Sequence, residues 1–351
     1  MTYGTVNADV IGTSVAGSNL GAGNASIMKN RIINGAMVID QRNAGASVTQ
    51  TTSTVYTLDR WACYGSVTSK FTVQQNAGSV TTPIGFNKYL GVTSSSAYTV
   101  GSAEAFFIFQ KIEGFNIADL AWGTANAKTV TLSFQVYSSL TGTFGGAIKN
   151  ANNDRVYPFS YTVSSANTWT TISVTIVGDT SGTWATDNTT GIYLVFGLGV
   201  GSTLSGTAGS WAGSNLFSAT GATSVVGTSG ATFYITGVQL EVGSSATGFE
   251  YVNYQTSLAN CQRYYEIGGD PNVIQWSGTV TTATTYYTTI PYIVTKRTTP
   301  TVVNTSANNS NFSATASTAY TGGTTNLRNA RTANGTGTGF FGDSWTASAE
   351  L

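Results

Sequence analysis

The chain contains no histidine, and only 9% of its 351 residues are charged, against roughly 25% in an ordinary globular protein. Without imidazole there is no Ser-His-Asp or Cys-His catalysis, no zinc-protease helix and no histidine proton shuttle. Fifteen basic and fifteen acidic residues leave a formal net charge of zero. The basic excess that displaces counterions from phosphates is missing, so no nucleic-acid partner is expected. Disorder driven by charge repulsion is excluded from the other side, because hydrophobic residues reach 41% and aromatics 12%. The two cysteines, Cys63 and Cys261, are too few for a disulfide framework and read as small buried hydrophobes, although their spacing does not say whether they meet. Long apolar runs are lacking too. The longest, Ile192–Val200, is far too short for a membrane helix, and Met1–Gly21 has neither a basic leader nor a sustained apolar core. Neither a signal peptide nor membrane insertion is expected, and an outer-membrane barrel is the least favoured class.

What is present is Ser, Thr, Asn and 41 Gly, with five Pro. No charge occurs between Asp187 and Glu241, nor from Thr298 to Leu327. Threonine is β-branched, Ser and Asn compete with the helical backbone, and Gly makes turns, so the chain is expected to be all-β. Lys128–Ser138 alternates Val130, Leu132, Phe134 and Val136 with polar residues, as a half-buried strand does. Trp169–Gly178 repeats the rhythm. In Thr232–Val242 the apolar phase shifts at Gly237, which predicts a bulge. Glu104–Phe115 and Gly191–Val200 are apolar on both faces, which predicts central strands covered on both sides by other elements.

These features predict a jelly-roll β-sandwich over residues 38–250. A short amphipathic helical connector follows at 251–268, with Tyr254, Leu258, Cys261 and Tyr265 on one stripe and Gly268–Gly269 as its stop. Residues 269–351 form a smaller C-terminal β domain, with Thr284–Val294 its clearest strand. At about 85 residues it is small for an independent core and is expected to complete that core against another copy of itself. Residues 1–30 are rich in Gly, Ser, Ala and Asn with few large side chains, and read as either disordered or an extended arm that becomes ordered on a partner; the arm is bounded at residues 1–37.

Paired carboxylates act on sugars without histidine, and Asp154, Asp179, Asp187, Glu104 and Glu113 are available. Nothing in their spacing selects a pair, and the aspartates sit in turn-like contexts, so no catalytic residue is expected. No acidic run resembles a calcium loop; a structural Ca2+ has no nameable ligands, and no other cofactor is indicated. The glycine pairs Gly21/Gly23 and Gly197/Gly199 lack the third glycine of a nucleotide loop. Aromatics are the richer set, with seven Trp, 18 Tyr and 16 Phe. Rings stack on apolar sugar faces while Asn, Asp and Ser meet the hydroxyls. On that logic the candidates for glycan binding are Trp184 with Asp187 and Asn188, Trp211, and in the C-terminal part Trp276, Tyr286, Tyr287 and Trp345.

Two stretches carry a family resemblance. Asn30–Arg42 (NRIINGAMVIDQR) with Tyr56–Trp61 (YTLDRW) resembles the opening of a domain found in bacteriophage tail fibre and related virion proteins. Gly237–Phe249 (GVQLEVGSSATGF), continuing into Asn260–Tyr265 (NCQRYY), is similar to its close and to the joint with the next module. Phe109–Trp122 and Thr129–Tyr137 are similar to strands of carbohydrate-binding-type jelly rolls. The resemblance implies a homotrimer in the virion, an N-terminal arm held by other virion proteins, and a distal C-terminal tip facing the host. A fibre that attaches non-enzymatically to a host surface glycan is the leading expectation. A capsid decoration or cement-type fibre is the alternative, and a polysaccharide depolymerase a further one.

Overall fold

A computed structural model of the chain describes residues 28–269, 274–313 and 321–351. Twelve strands make two antiparallel six-stranded sheets. The first runs β1 (Val48–Thr49), β4 (Phe71–Gln75), β5 (Leu90–Ser94), β14 (Thr232–Val242), β7 (Val130–Ser138) and β10 (Thr170–Ile176). The second runs β2 (Val55–Leu58), β3 (Trp61–Gly65), β6 (Ala105–Glu113), β11 (Thr190–Val200), β8 (Gly142–Lys149) and β9 (Val156–Val163). The chain passes repeatedly from one sheet to the other, so the two faces close on one core. Phe134, Val136, Phe233 and Leu240 of the first sheet meet Trp61, Ile108, Phe144, Phe159, Leu194 and Phe196 of the second. Phe134 and Phe196 pack edge to face with ring centroids 5.0 Å apart.

The half-buried strands expected at Lys128–Ser138 and Trp169–Gly178 are β7 and β10. The bulge expected at Gly237 is there: the β14–β7 register shifts between Thr236 and Gln239, and Gly237 has φ 61°. Its glycine is required, since an added Cβ would stand 2.6 Å from the Phe86 ring. β6 and β11 are neighbours at the centre of the second sheet, as their two-sided apolarity predicts.

Residues 28–37 correct the expectation of an arm extending to residue 37. They are laid along β14: Val238 donates to the Gly35 carbonyl at 3.0 Å, Arg31 to the Leu240 carbonyl at 2.9 Å, and the Asn30 side chain bonds both Val238 and Leu240. Met37 is wholly buried. The opening and closing phrases of the family resemblance are therefore one structural unit. Residues 1–27, the rest of the arm, lie outside the described residues.

Helix α1 (Tyr254–Gln262) is capped by Asn253, whose side chain accepts from the Thr256 amide at 2.9 Å. It is shorter than expected. Tyr254 is exposed, and Tyr265 belongs to β15 (Tyr265–Gly268), because pairing with the last strand takes the chain out of the helix before Gly268. The second β unit thus starts at residue 265 rather than 269. It is built around β21 (Gly337–Ser348), flanked by β15 and β16 (Trp276–Val280) on one side and β18 (Thr301–Ser310) on the other. β17 (Thr285–Pro291), β20 (Asn326–Thr332) and β19 (Thr321–Gly322) form a second small sheet. β12 (Ser205–Gly206) and β13 (Ser218–Ala219) are a short parallel pair.

Candidate functional site

Alternation along the second sheet places one row of residues in the core and the other on its outer face. β6 sends Phe106, Ile108 and Ile112 inward, and Ala105, Phe107 and Phe109 outward. β11 sends Leu194 and Phe196 inward, and Tyr193 and Val195 outward; β3 turns Tyr64 out. The outer face is thus a ring-bearing surface rather than a wetted one. Part of it is capped by the segment that carries β12 and β13. That segment lies flat on the sheet because Gly145 and Gly197 have no side chains: a Cβ there would stand 2.4 Å and 2.9 Å from the Ser218 hydroxyl. The uncapped part is a cleft of about 370 Å³.

Phe107 and Phe109 are the buried floor of the cleft, while Tyr64, Tyr193 and Phe217 stand half-buried around it. Phe217 stacks on Phe107 with centroids 4.8 Å apart and planes at 14°, and Tyr64 leans on Phe107 at 5.3 Å. Thr54, Ser66, Asn153 and Asn215 supply neutral hydrogen-bonding groups, and Lys111 and Lys149 are its cations. Lys149 donates to Asn215 Oδ1 at 2.7 Å, with its ammonium 3.9 Å from the Phe217 ring centroid. Burial pushes its pKa down to about 7. Lys111 lies 5.0 Å from the Tyr193 ring and donates to the Leu351 carbonyl at 2.6 Å; desolvation and the nearby Arg60 also lower its pKa. Rings on the floor and amides, hydroxyls and ammonium groups at the edges form a surface that stacks on one face of a flat ligand and bonds its rim.

A larger hollow of about 1140 Å³ lies where residues 28–38 meet α1. It is a structural seam. The Asn30 and Asn34 side chains are engaged with main-chain groups, and Arg263 grips Glu113 through two bonds of 2.9 Å and 2.5 Å.

The residues expected to bind glycan are dispersed, and most are structural. Trp184 is only 7% exposed; its indole donates towards Asp179 and Ser181, and its ring packs edge on against Trp122 and Trp211. Trp211 donates to the Val177 carbonyl and is half-buried in that cluster. The Asp187 carboxylate closes a turn by accepting from the amide and hydroxyl of Thr189, which hold its pKa down. Asn188 exchanges hydrogen bonds with Arg297 of the C-terminal unit, at 3.0 Å and 2.7 Å. Trp345 is 2% exposed and packs on Tyr292. Trp276 stacks on Phe341 at 5.8 Å with Tyr286 beside it. Tyr287 alone of these rings is exposed, at 51%, with Arg328 over its face at 4.6 Å. Tryptophan in a Gly/Ser context signals a ring, not which way it faces.

The cleft rings fall outside the expected set for the converse reason. The doubled apolarity of β6 and β11 was legible, but it predicts a cover, and the cover here is a loop that stops short. The carboxylates considered for catalysis do not converge either. Asp179 is gripped by Arg155 at 2.7 Å and 2.6 Å, and Glu113 by Arg263 and the Tyr264 hydroxyl. Glu104 accepts from Tyr98 and Gly101, and Asp154 from the Asn150 amide. Among the described residues no three acidic or thiol side chains are grouped as metal ligands. Both cysteines are buried free thiols, and burial pushes the Cys63 thiol up to about 12.

No protein-family model matches the chain, and no curated protein matches it. Solved structures give faint likenesses. One is the enzymatically active domain of bacteriophage CBA120 tailspike protein 4, at 10% identity and a TM-score of 0.34, over 61% of this chain and 22% of that one. A family 11 carbohydrate-binding module from Clostridium thermocellum, in complex with a mixed-linked tetrasaccharide, is matched at 14% identity and a TM-score of 0.27, over 58% of this chain and 98% of that one. The xylan-binding domain CBM22-1 of Paenibacillus barcinonensis Xyn10C gives 9% identity and a TM-score of 0.27, over 58% of this chain and 99% of that one. The sandwich itself is defined by its own strand order and register.

Proposed function

We propose that the protein is a non-catalytic, carbohydrate-binding fibre component of a bacteriophage virion, and that a saccharide lies in the aromatic cleft on its second sheet. The observation that carries this reading is the ring set Tyr64, Phe107, Phe109, Tyr193 and Phe217, gathered on one open sheet face and edged by amides and hydroxyls. Sugars offer apolar faces to rings and hydroxyls to amides, and such a surface needs neither metal nor proton transfer. The absence of histidine and the structural engagement of Asp154, Asp179, Asp187, Glu104 and Glu113 favour binding without turnover. The family-like phrases support a virion protein. On the same resemblance, three copies associate about a common axis, with the N-terminal arm towards the particle. Threefold association makes weak cleft contacts multivalent.

The test is saccharide binding by the full chain and by Tyr193→Ala and Phe217→Ala. Each variant should lose about tenfold in affinity, the equivalent of about 1.4 kcal/mol, with folding unchanged by circular dichroism. Adsorption of labelled protein to host cells should fall in parallel, with no saccharide fragments released. Affinity untouched by both variants would remove the cleft from the reading, and fragment release would replace binding with depolymerisation.

A further inference from the structure

We propose that the saccharide is anionic, its acidic group received in the cleft by Lys149; this rests on the cleft being a saccharide site. Lys149 is the last residue of β8 and is 2% exposed. The other deeply buried cations have acidic partners: Arg60 has Glu350, Lys296 has Glu266, Arg331 has Asp343, and Arg31 has Asp119. Among the described residues no carboxylate pairs with Lys149. Among those residues its ammonium donates to the Asn215 amide oxygen, and the faces of Phe217 and Tyr193 lie 3.9 Å and 5.6 Å from it.

An ammonium has three donors, so at least one remains for a ligand lining this cleft. Burying a cation without a counter-ion is unfavourable, and desolvation accordingly holds this lysine's pKa at about 7. An incoming anion reverses that penalty, because it supplies the missing counter-charge where water is already excluded. A neutral sugar supplies only hydroxyls. Rings for the sugar face, Asn215 for a hydroxyl and Lys149 for an acidic substituent are thus parts of one site. A lysine point charge accepts a carboxylate or a sulfate ester alike, so the shared chemistry is a saccharide bearing an anionic substituent.

The experiment is calorimetric titration of the full chain with four probes: a neutral cello-oligosaccharide, an oligogalacturonate, its methyl ester, and a sulfated galactan oligomer. We expect at least one charged probe to bind about tenfold more tightly than the neutral one, the size of one charge-assisted hydrogen bond. A preference for oligogalacturonate identifies a carboxylate and is lost on methyl esterification, which needs no protein variant; a preference for the galactan identifies a sulfate. Lys149→Met and Lys149→Gln should bring the charged-to-neutral ratio close to one, whereas Lys128→Met, outside the cleft, should leave it as it was. Neutral binding equal to or tighter than charged binding would overturn the anionic inference and leave the cleft a saccharide site. Binding of none of the four would overturn both.

Discussion

Alternation carries Lys149 to the outer face of the second sheet, where the cover of Phe217 and Asn215 strips it of water. The sign of its pH effect follows. With the folded pKa lowered from 10.5 to about 7, the folded chain binds fewer protons than the unfolded one between those values. The penalty is fully present below about 7 and is relieved as pH rises towards 10.5. Lys149→Met should therefore raise the unfolding free energy below neutrality, on the order of a few kcal/mol, and flatten the rise of stability with pH above it. Chemical denaturation across pH measures both. Lys111 and the hydroxyls of Tyr64 and Tyr193 are the other ionisable groups lining the cleft. Affinity for an acidic saccharide should fall as pH rises through about 7, with neutral probes unaffected. Trp184 makes the opposite case. Its ring lies inside the cluster with Trp122 and Trp211, so Trp184→Ala should cost about 3–5 kcal/mol of stability and leave saccharide affinity in the residual folded protein intact.

At the scale of elements, what the chain's local pattern predicts holds where the pattern is confined to one strand. β7 and β10 carry strict two-residue alternation and were legible, as was the bulge at Gly237, where the apolar phase slips by one. β6 and β11 were legible as central strands, but a period of two does not say whether a second apolar face is covered by a helix, a sheet, a loop or a ligand. The loop answer depends on Gly145 and Gly197, which let β13 approach the sheet. Gly197→Val should lift that cap, destabilise the sandwich by about 1–3 kcal/mol and weaken saccharide binding, both read from one calorimetric series. The helical stripe expected to reach Tyr265 stops at Gln262 because β15 pairs with β21, a partner some eighty residues further along the chain. Pairing at that distance has no local signature.

At the scale of the molecule, a chain with few charges uses them as internal joints. Glu350 accepts from Arg60 and, at 2.7 Å, from Arg42; Arg60 lies over the Tyr264 ring at 3.6 Å. Arg297 holds the Ala349 and Glu350 carbonyls and reaches Asn188. The sandwich and the C-terminal unit are tied by these contacts. Glu350→Gln leaves Arg60 buried without its counter-charge, and a loss of about 3–5 kcal/mol is expected in denaturant titration. Assembly belongs to this scale too. The C-terminal unit has small ring clusters of its own, around Trp276 with Phe341 and around Tyr292 with Trp345, yet Ile267, Ile274, Ile293 and Val303 remain exposed. Light scattering of the full chain should give three times the mass of one copy. A monomer would remove the trimer from the proposed function.

Composition and periodicity alone determined that the chain is all-β, that no histidine takes part in whatever it does, and where five of the twelve sandwich strands run (β6, β7, β10, β11 and β14), because each follows from residue type or from a pattern shorter than one strand. Which rings face solvent was decided only by the tertiary structure. Trp184 and Trp345 are enclosed by residues distant in sequence, and Phe107, Tyr193 and Phe217 become a cleft only when β6, β11 and the segment after β11 meet on one sheet face. Exposure is a property of what packs against a side chain, and that is set by pairing across the whole chain.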